Sequence, residues 1–260
     1  RLTAETLGIG GANVLTANAA TVGASAGYQA GVGVAVARLS GAATVAIGDK
    51  VAITGSSAAR ADSLTVTAQR ADAVRAHVFN LTAGLIGGAG LVVADASNVG
   101  STSIVLGRGT PGGTLLLAAD AIGLKANDLS RAAADAVGST GGILVGLNGV
   151  VANARNVGSG TLTLIATTID GGAVTLQNLS SGRATARANG ISVGAVGIGA
   201  SIARARAEMA LATTIDGSIL ADSVAITTRI DASLGKNAQS WANSSAGGLL
   251  AGNGAESEAF

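Results

Sequence analysis

The sequence predicts an all-β fold, a parallel β-solenoid (β-helix) built from tandem repeats of roughly 50–60 residues with Gly-rich bends. Three observations carry that prediction. Separate landmarks recur along the chain at one shared period. Segment after segment alternates polar and small residues with period two, the period of a strand. Glycine, 40 of the 260 residues, is scattered through every segment, at a cost of about 1 kcal/mol per site in a helix interior.

The clearest landmark is the hexapeptide Ala-Thr-Thr-Ile-Asp-Gly, at Ala166–Gly171 and again at Ala212–Gly217. Thr-Thr-Ile is β-branched and favours an extended strand, and Asp-Gly favours a turn. The hexapeptide therefore reads as a strand end plus its corner, with Asp170, Gly171, Asp216 and Gly217 at the corners. Fainter copies stand at Val45–Asp49, which adds Asp49 to the corner set, and at Ile104–Gly109.

Ahead of the corners, Gly33–Arg38, Gly90–Asp95, Asn148–Asn153 and Gly199–Arg204 align as one strand. Their β-branched residues Val36, Val93, Val151 and Ile202 lie 57, 58 and 51 apart. Upstream of each runs a strand of alternating polar residues and Ala, led by Arg75, Arg131, Arg183 and Asn237, which are 56, 52 and 54 apart. In the third of these strands Ala184, Ala186 and Ala188 fall on the packed face. Arg183, Thr185, Arg187 and Asn189 fall on the wet one. The clusters Gly87-Gly88, Gly141-Gly142, Gly194/Gly197 and Gly247-Gly248 between the two strands predict sharp bends. A third strand follows each corner, beginning at Leu64, Leu115, Val174 and Val224, with a related one at Val14. Asp120–Ala136 and Ala203–Leu211 are Ala-rich enough to pass for helices, but the repeat frame makes them strands. The frame leaves open whether a repeat is one wide coil or two. No composition break or Pro-rich linker divides the chain. Residues 1–260 read as one solenoid segment of about four and a half repeats, and Arg1 begins in mid-pattern, as in a fragment of a longer chain.

Composition narrows the function classes. Charged residues are 12% of the chain and the net charge is +1, so no nucleic-acid partner is expected. There is no Cys and one His. His77 sits on a wet strand face, and Gly23–Gly27 matches a nucleophile elbow by letters only. Asp170 and Asp216 would stack as a carboxylate pair if their corners were equivalent. A corner Asp bonding its own turn is the plainer reading. The Gly-Gly-x-Gly-x-Asp calcium repeat is absent, and one Asp per corner supplies too few ligands. No cofactor, metal or enzymatic activity is expected. Gly-rich apolar stretches such as Ala136–Ala154 alternate at period two and are interrupted by polar residues, so no membrane-spanning helix is expected. Asn80-Leu-Thr, Asn178-Leu-Ser and Asn243-Ser-Ser are glycosylation sequons.

Gly31–Asp49, which carries Gly-Val-Gly-Val-Ala-Val and an Ile-Gly-Asp corner, followed by Ser63–Ala68, resembles the repeat regions of large bacterial surface exoproteins. These are the filamentous-haemagglutinin-like and leukotoxin-type filamentous adhesins, and the pattern recurs across nearly the whole chain. The resemblance implies a right-handed parallel β-solenoid, export through an outer-membrane transporter, and an extracellular or cell-surface fibre. The family's amino-terminal secretion domain is not among these residues.

The expected function is structural, a stalk or fibre segment of an adhesin-like exoprotein, with exposed strand edges prone to end-to-end or lateral self-association. Two alternatives remain. One is a solenoid face binding host or matrix glycans through an Arg75, Arg131 and Arg183 ladder, with Arg187, Arg204 and Arg206 nearby. The weaker one is a polysaccharide-degrading β-helix enzyme.

Overall fold

A computed structural model describes residues 6–54, 61–111, 113–231 and 237–260. Every regular element among them is a strand, and every strand pairing is parallel. β1 (Thr6–Gly11) precedes a first unit of β2 (Val14–Ser25), β3 (Tyr28–Ile47), β4 (Ala52–Ile53) and β5 (Ala61–Arg70). The second unit is β6 (Ala73–Gly84), β7 (Gly87–Leu106) and β8 (Leu115–Asp128). In the third, β9 (Arg131–Gly141) is followed by the 36-residue β10 (Val145–Ser180). The fourth repeats that plan with β11 (Arg183–Val193) and β12 (Val196–Ile230), and β13 (Ala238–Gly247) and β14 (Leu250–Ala259) close the described chain. The Ala-rich stretches that could pass for helices are strands, as the repeat frame requires.

The strands form two sheets. The small one has the order β13-β11-β9-β6-β2, which is chain order, so each unit adds one strand directly beside the last. The large one contains the remaining nine. In it β10 covers two positions: residues 145–164 pair with β7 and 167–180 with β8. The register shifts at the corner between them, where Ala166 takes φ 48°. In the second unit residues 107–111, 113 and 114 lie at the same corner outside the strands, with Gly107 and Gly109 at positive φ.

Two cores result. The small sheet packs on the first halves of the long strands through Ala and Val, including Val78, Val92, Ala94, Ala136, Ala152, Ala186 and Ala203. Side chains this short let two sheets approach closely. The second halves of the long strands enclose a core of Leu, Ile and Val with β5 and β8, including Leu64, Ile104, Leu117, Leu124, Leu162 and Leu176. Inward Ala184, Ala186 and Ala188 are fully buried, and Arg183, Thr185, Arg187 and Asn189 are not.

Three alignments need correction. Val34, not Val36, pairs with Val93. Leu64 pairs with Ile122, so the second copy of the third strand begins there and not at Leu115. Val14 belongs to the small sheet, against Ala73, while β1 is the partner of β5. The slip at Val36 has one cause: a Gly-Val-Gly-Val-Ala-Val run looks the same after a two-residue shift, which leaves every side chain on its original face.

Candidate functional site

Alternation on the small sheet sends polar residues outward in rows that cross the strands. Arg131 and Arg183 are direct register partners, and Asn237 continues their row through its carbonyl, which accepts the Ala184 N–H. Arg75 is not in that row. It pairs with Ala133 and stands two residues along, in line with Thr16, Thr185 and Gln239. The predicted ladder of Arg75, Arg131 and Arg183 is thus a pair plus a neighbour on the same face. The next row holds Asn18, His77, Asp135, Arg187 and Trp241, and the one after it Asn189 and Asn243.

The contacts within this face are sparse. Arg183 donates to Gln239 Oε1. His77 Nδ1 lies 3.4 Å from Asp135. The Arg187 guanidinium lies 4.9 Å from the centre of the Trp241 ring, in cation–π contact, although Asp135 is its register partner. Trp241 is half-exposed at 46%. Arg204 and Arg206, grouped with the ladder by sequence, stand instead on β12 of the large sheet, beyond the shared alanine core.

The corner residues divide. Asp49 accepts the backbone N–H groups of Arg108 and Thr110 and the Thr110 hydroxyl, so it ties its corner to the next unit's corner rather than to its own turn. Those bonds, led by the hydroxyl, lower its pKa to about 2. Asp216 and Gly217 lie at the corner beside Ile165 and Thr167. Asp170 and Gly171 do not: they are already inside a strand, paired with Ala118 and Ala119 and with Leu220 and Ala221. The two hexapeptides are therefore out of register, and Asp170 and Asp216 do not stack.

A buried charged group, unforeseen from sequence, separates the two cores. Arg70, Asp72 and Asp128 are at most 2% exposed. Arg70 Nε lies 3.3 Å from Asp128 and 3.6 Å from Asp72. Burial raises the Asp128 pKa, and the Arg70 charge partly offsets this. Room for the cluster comes from a glycine column, Gly41–Gly100–Gly158, on the strands facing it. A Cβ on Gly100 would overlap Arg70 Nη1, and one on Gly158 would overlap Asp128 Oδ2. In the next unit the column switches to Met209, and the residue facing it is Gly182. The signal was present: period two, run on from Val66 and Ala68, puts Arg70 and then Asp72 inside.

Buried asparagines complete the interior. Asn148 donates to the Gly138 and Ile191 carbonyls, and Asn178 to those of Gly160 and Ala212. Asn80 donates to the Gly31 carbonyl. Asn80 and Asn178 are 0% exposed, so two of the three sequons lie inside the fold. Among the described residues no group of three or more His, Cys, Asp or Glu is placed to hold a metal, and no helix is long and apolar enough to cross a membrane. No protein-family model, curated protein or solved structure matches the chain.

Proposed function

We propose that the chain is a segment of a parallel β-solenoid whose work is mechanical: a stalk or fibre that gains length one repeat at a time, displayed outside the cell. The observation that carries this reading is the small sheet, where chain order and strand order coincide and each unit adds one strand. An array of that kind sums local repeat stabilities and nearest-neighbour interfaces. The reading takes each repeat as one wide coil, because equivalent strands are direct neighbours with nothing between them. Its extracellular setting rests on the resemblance to filamentous adhesins.

Deletion of one unit tests the proposal. Removing residues 131–182 joins Ser130 to Arg183 and takes one strand from each position of the array. A modular stalk refolds around the loss, with β6 beside β11 and an unchanged β-type circular dichroism per residue. An unfolded or aggregated product would refute modularity.

A further inference from the structure

We propose that the outer face of the small sheet binds a linear polyuronate, a polysaccharide carrying a carboxylate on its sugar rings. Arg75, Arg131, Arg183 and Arg187 take the carboxylates, and Trp241 is the platform for a sugar ring. The argument begins with a contrast between the two sheets. On the large sheet the outward arginines meet carboxylates of this chain. Arg38 lies 3.1 Å from Asp95, and Arg204 lies 3.1 Å from both Glu256 and Glu258. Arg155 lies 3.6 Å from Glu208, which also pairs with Arg206. There the ladder neutralises itself.

The small sheet does not. Its described strands carry four arginines and a single acid, Asp135, which faces His77. None of Arg75, Arg131, Arg183 and Arg187 is within ion-pair distance of a carboxylate among the described residues. Arg131 and Arg183 are nevertheless direct cross-strand neighbours, a placement that is destabilising for like charges. A chain with a net charge of only +1 thus concentrates unneutralised positive charge on one flat face. Guanidinium groups bind carboxylates through a matched planar fork, and on this face the carboxylates must come from a ligand.

The remaining polar groups favour a sugar chain over a nucleic acid. A single-stranded nucleic acid needs a succession of aromatic platforms along a positively charged groove. This face has only two exposed aromatics among the described residues, Trp241 on β13 and Phe79 on β6, with β9 and β11 between them. Trp241 is half-exposed, its ring is held by Arg187, and it is bordered by exposed Asn189 and Asn243, whose amides offer donors and acceptors to hydroxyls. Neighbouring strands are about 4.8 Å apart and residues rise about 3.3 Å along a strand. A glycan running obliquely past Arg131 and Arg183 to Trp241 therefore covers, from Arg183 onward, one strand spacing across and four residues, about 13 Å, along the sheet.

Trp241 is the one Trp in the chain, which makes its emission a direct probe. Polygalacturonate is titrated into the full chain at about 0.02 and 0.2 M salt, with fully methyl-esterified polymer, dextran sulfate and single-stranded DNA in parallel. We expect a saturable emission change with polygalacturonate, weakened several-fold at the higher salt by screening, and none with the esterified polymer. Arg131→Gln/Arg183→Gln should weaken binding about tenfold or more, while Arg204→Gln/Arg206→Gln on the large sheet should leave it unchanged. The proposal is overturned if the unmodified chain gives no emission change, if the esterified polymer binds as tightly, or if dextran sulfate or DNA binds more tightly. It is equally overturned if both double variants lose affinity alike.

Discussion

Two glycine-to-alanine substitutions on the same kind of strand should shift stability in opposite directions. Gly100 lies opposite the buried charged cluster. A methyl there would overlap the Arg70 Nη1 and the Gly41 carbonyl oxygen, one a buried ion-pair partner and the other backbone. Overpacking of a tight interior costs about 1–3 kcal/mol. Any relief that pushes the guanidinium away from Asp72 and Asp128 moves toward the cost of breaking a buried ion pair, about 3–5 kcal/mol. Gly100→Ala should therefore destabilise by about 3 kcal/mol. Gly123 on β8 has ordinary room, with Thr65 Oγ1 3.7 Å and Lys125 Cε 3.8 Å from the new methyl. Gly123→Ala restricts mainly the unfolded chain and should stabilise by about 0.4–1 kcal/mol. Urea unfolding followed by circular dichroism reads the difference. With a slope of about 3 kcal/mol per molar, Gly100→Ala should lower the midpoint by about 1 M and Gly123→Ala should raise it slightly. Midpoints are the quantity to compare, because repeat arrays depart from two-state behaviour. Equal midpoints in the two variants would refute the placement of Arg70 against Gly100.

Ala186→Leu should lower the melting temperature by the equivalent of about 1–3 kcal/mol, since Ala186 is fully buried between the sheets; Thr185→Leu, one residue away on the outer face, should change it little. Asp49 has a folded pKa below its ordinary value, so its contribution is present above about pH 4 and lost as pH falls through about 2. Asp49→Asn should flatten that part of the acid-unfolding curve, whereas Asp128, raised by burial, binds its proton more tightly when folded and acts in the opposite sense. In a host that glycosylates Asn-x-Ser/Thr, mass spectrometry of the folded protein should find sugar at Asn243 at most, because Asn80 and Asn178 are buried.

The parts of this fold that were legible in the sequence are those that follow from face alternation. Ala184, Ala186 and Ala188 are inward because every second residue must be. The bends near Gly87, Gly141, Gly194 and Gly248 fall where glycines cluster. Register was less legible. Val36 and Arg75 were both misplaced by two residues, the one error that a period-two pattern does not penalise. The hexapeptide misled for a different reason. Its two copies are identical in letters, but β10 turns its corner at Ala166, before Asp170, while β12 turns at Asp216. Local identity was therefore a poorer guide than position in the ladder. The charged cluster and the asparagine bridges escaped because polar residues in strands are ordinarily read as outward. Here the alternation continues inward through Arg70, Asp72, Asn80 and Asn178, and buried partners meet them.

The register also sets a clock. No described strand pairs with the strand next to it in sequence. The closest ladder partners, such as Gly171 and Ala221, are 50 residues apart, and others, such as Val14 and Ala73, are 59 apart. Synthesis proceeds at about 5–20 residues per second, so a strand emerging from the ribosome waits roughly 3–10 s before its partner has been made. Closing a loop of that length must also precede any ladder hydrogen bond, which makes the first pairing slow and later ones easier once a template exists. During the wait each strand offers open hydrogen-bonding edges. Aromatics are only 2% of the residues, but Leu, Ile and Val line the second core and charged residues are 12%, so those edges are offered together with β-prone apolar sequence. The long register that lets each unit template the next in the finished fold thus also leaves the unfinished chain with open edges to protect for those seconds.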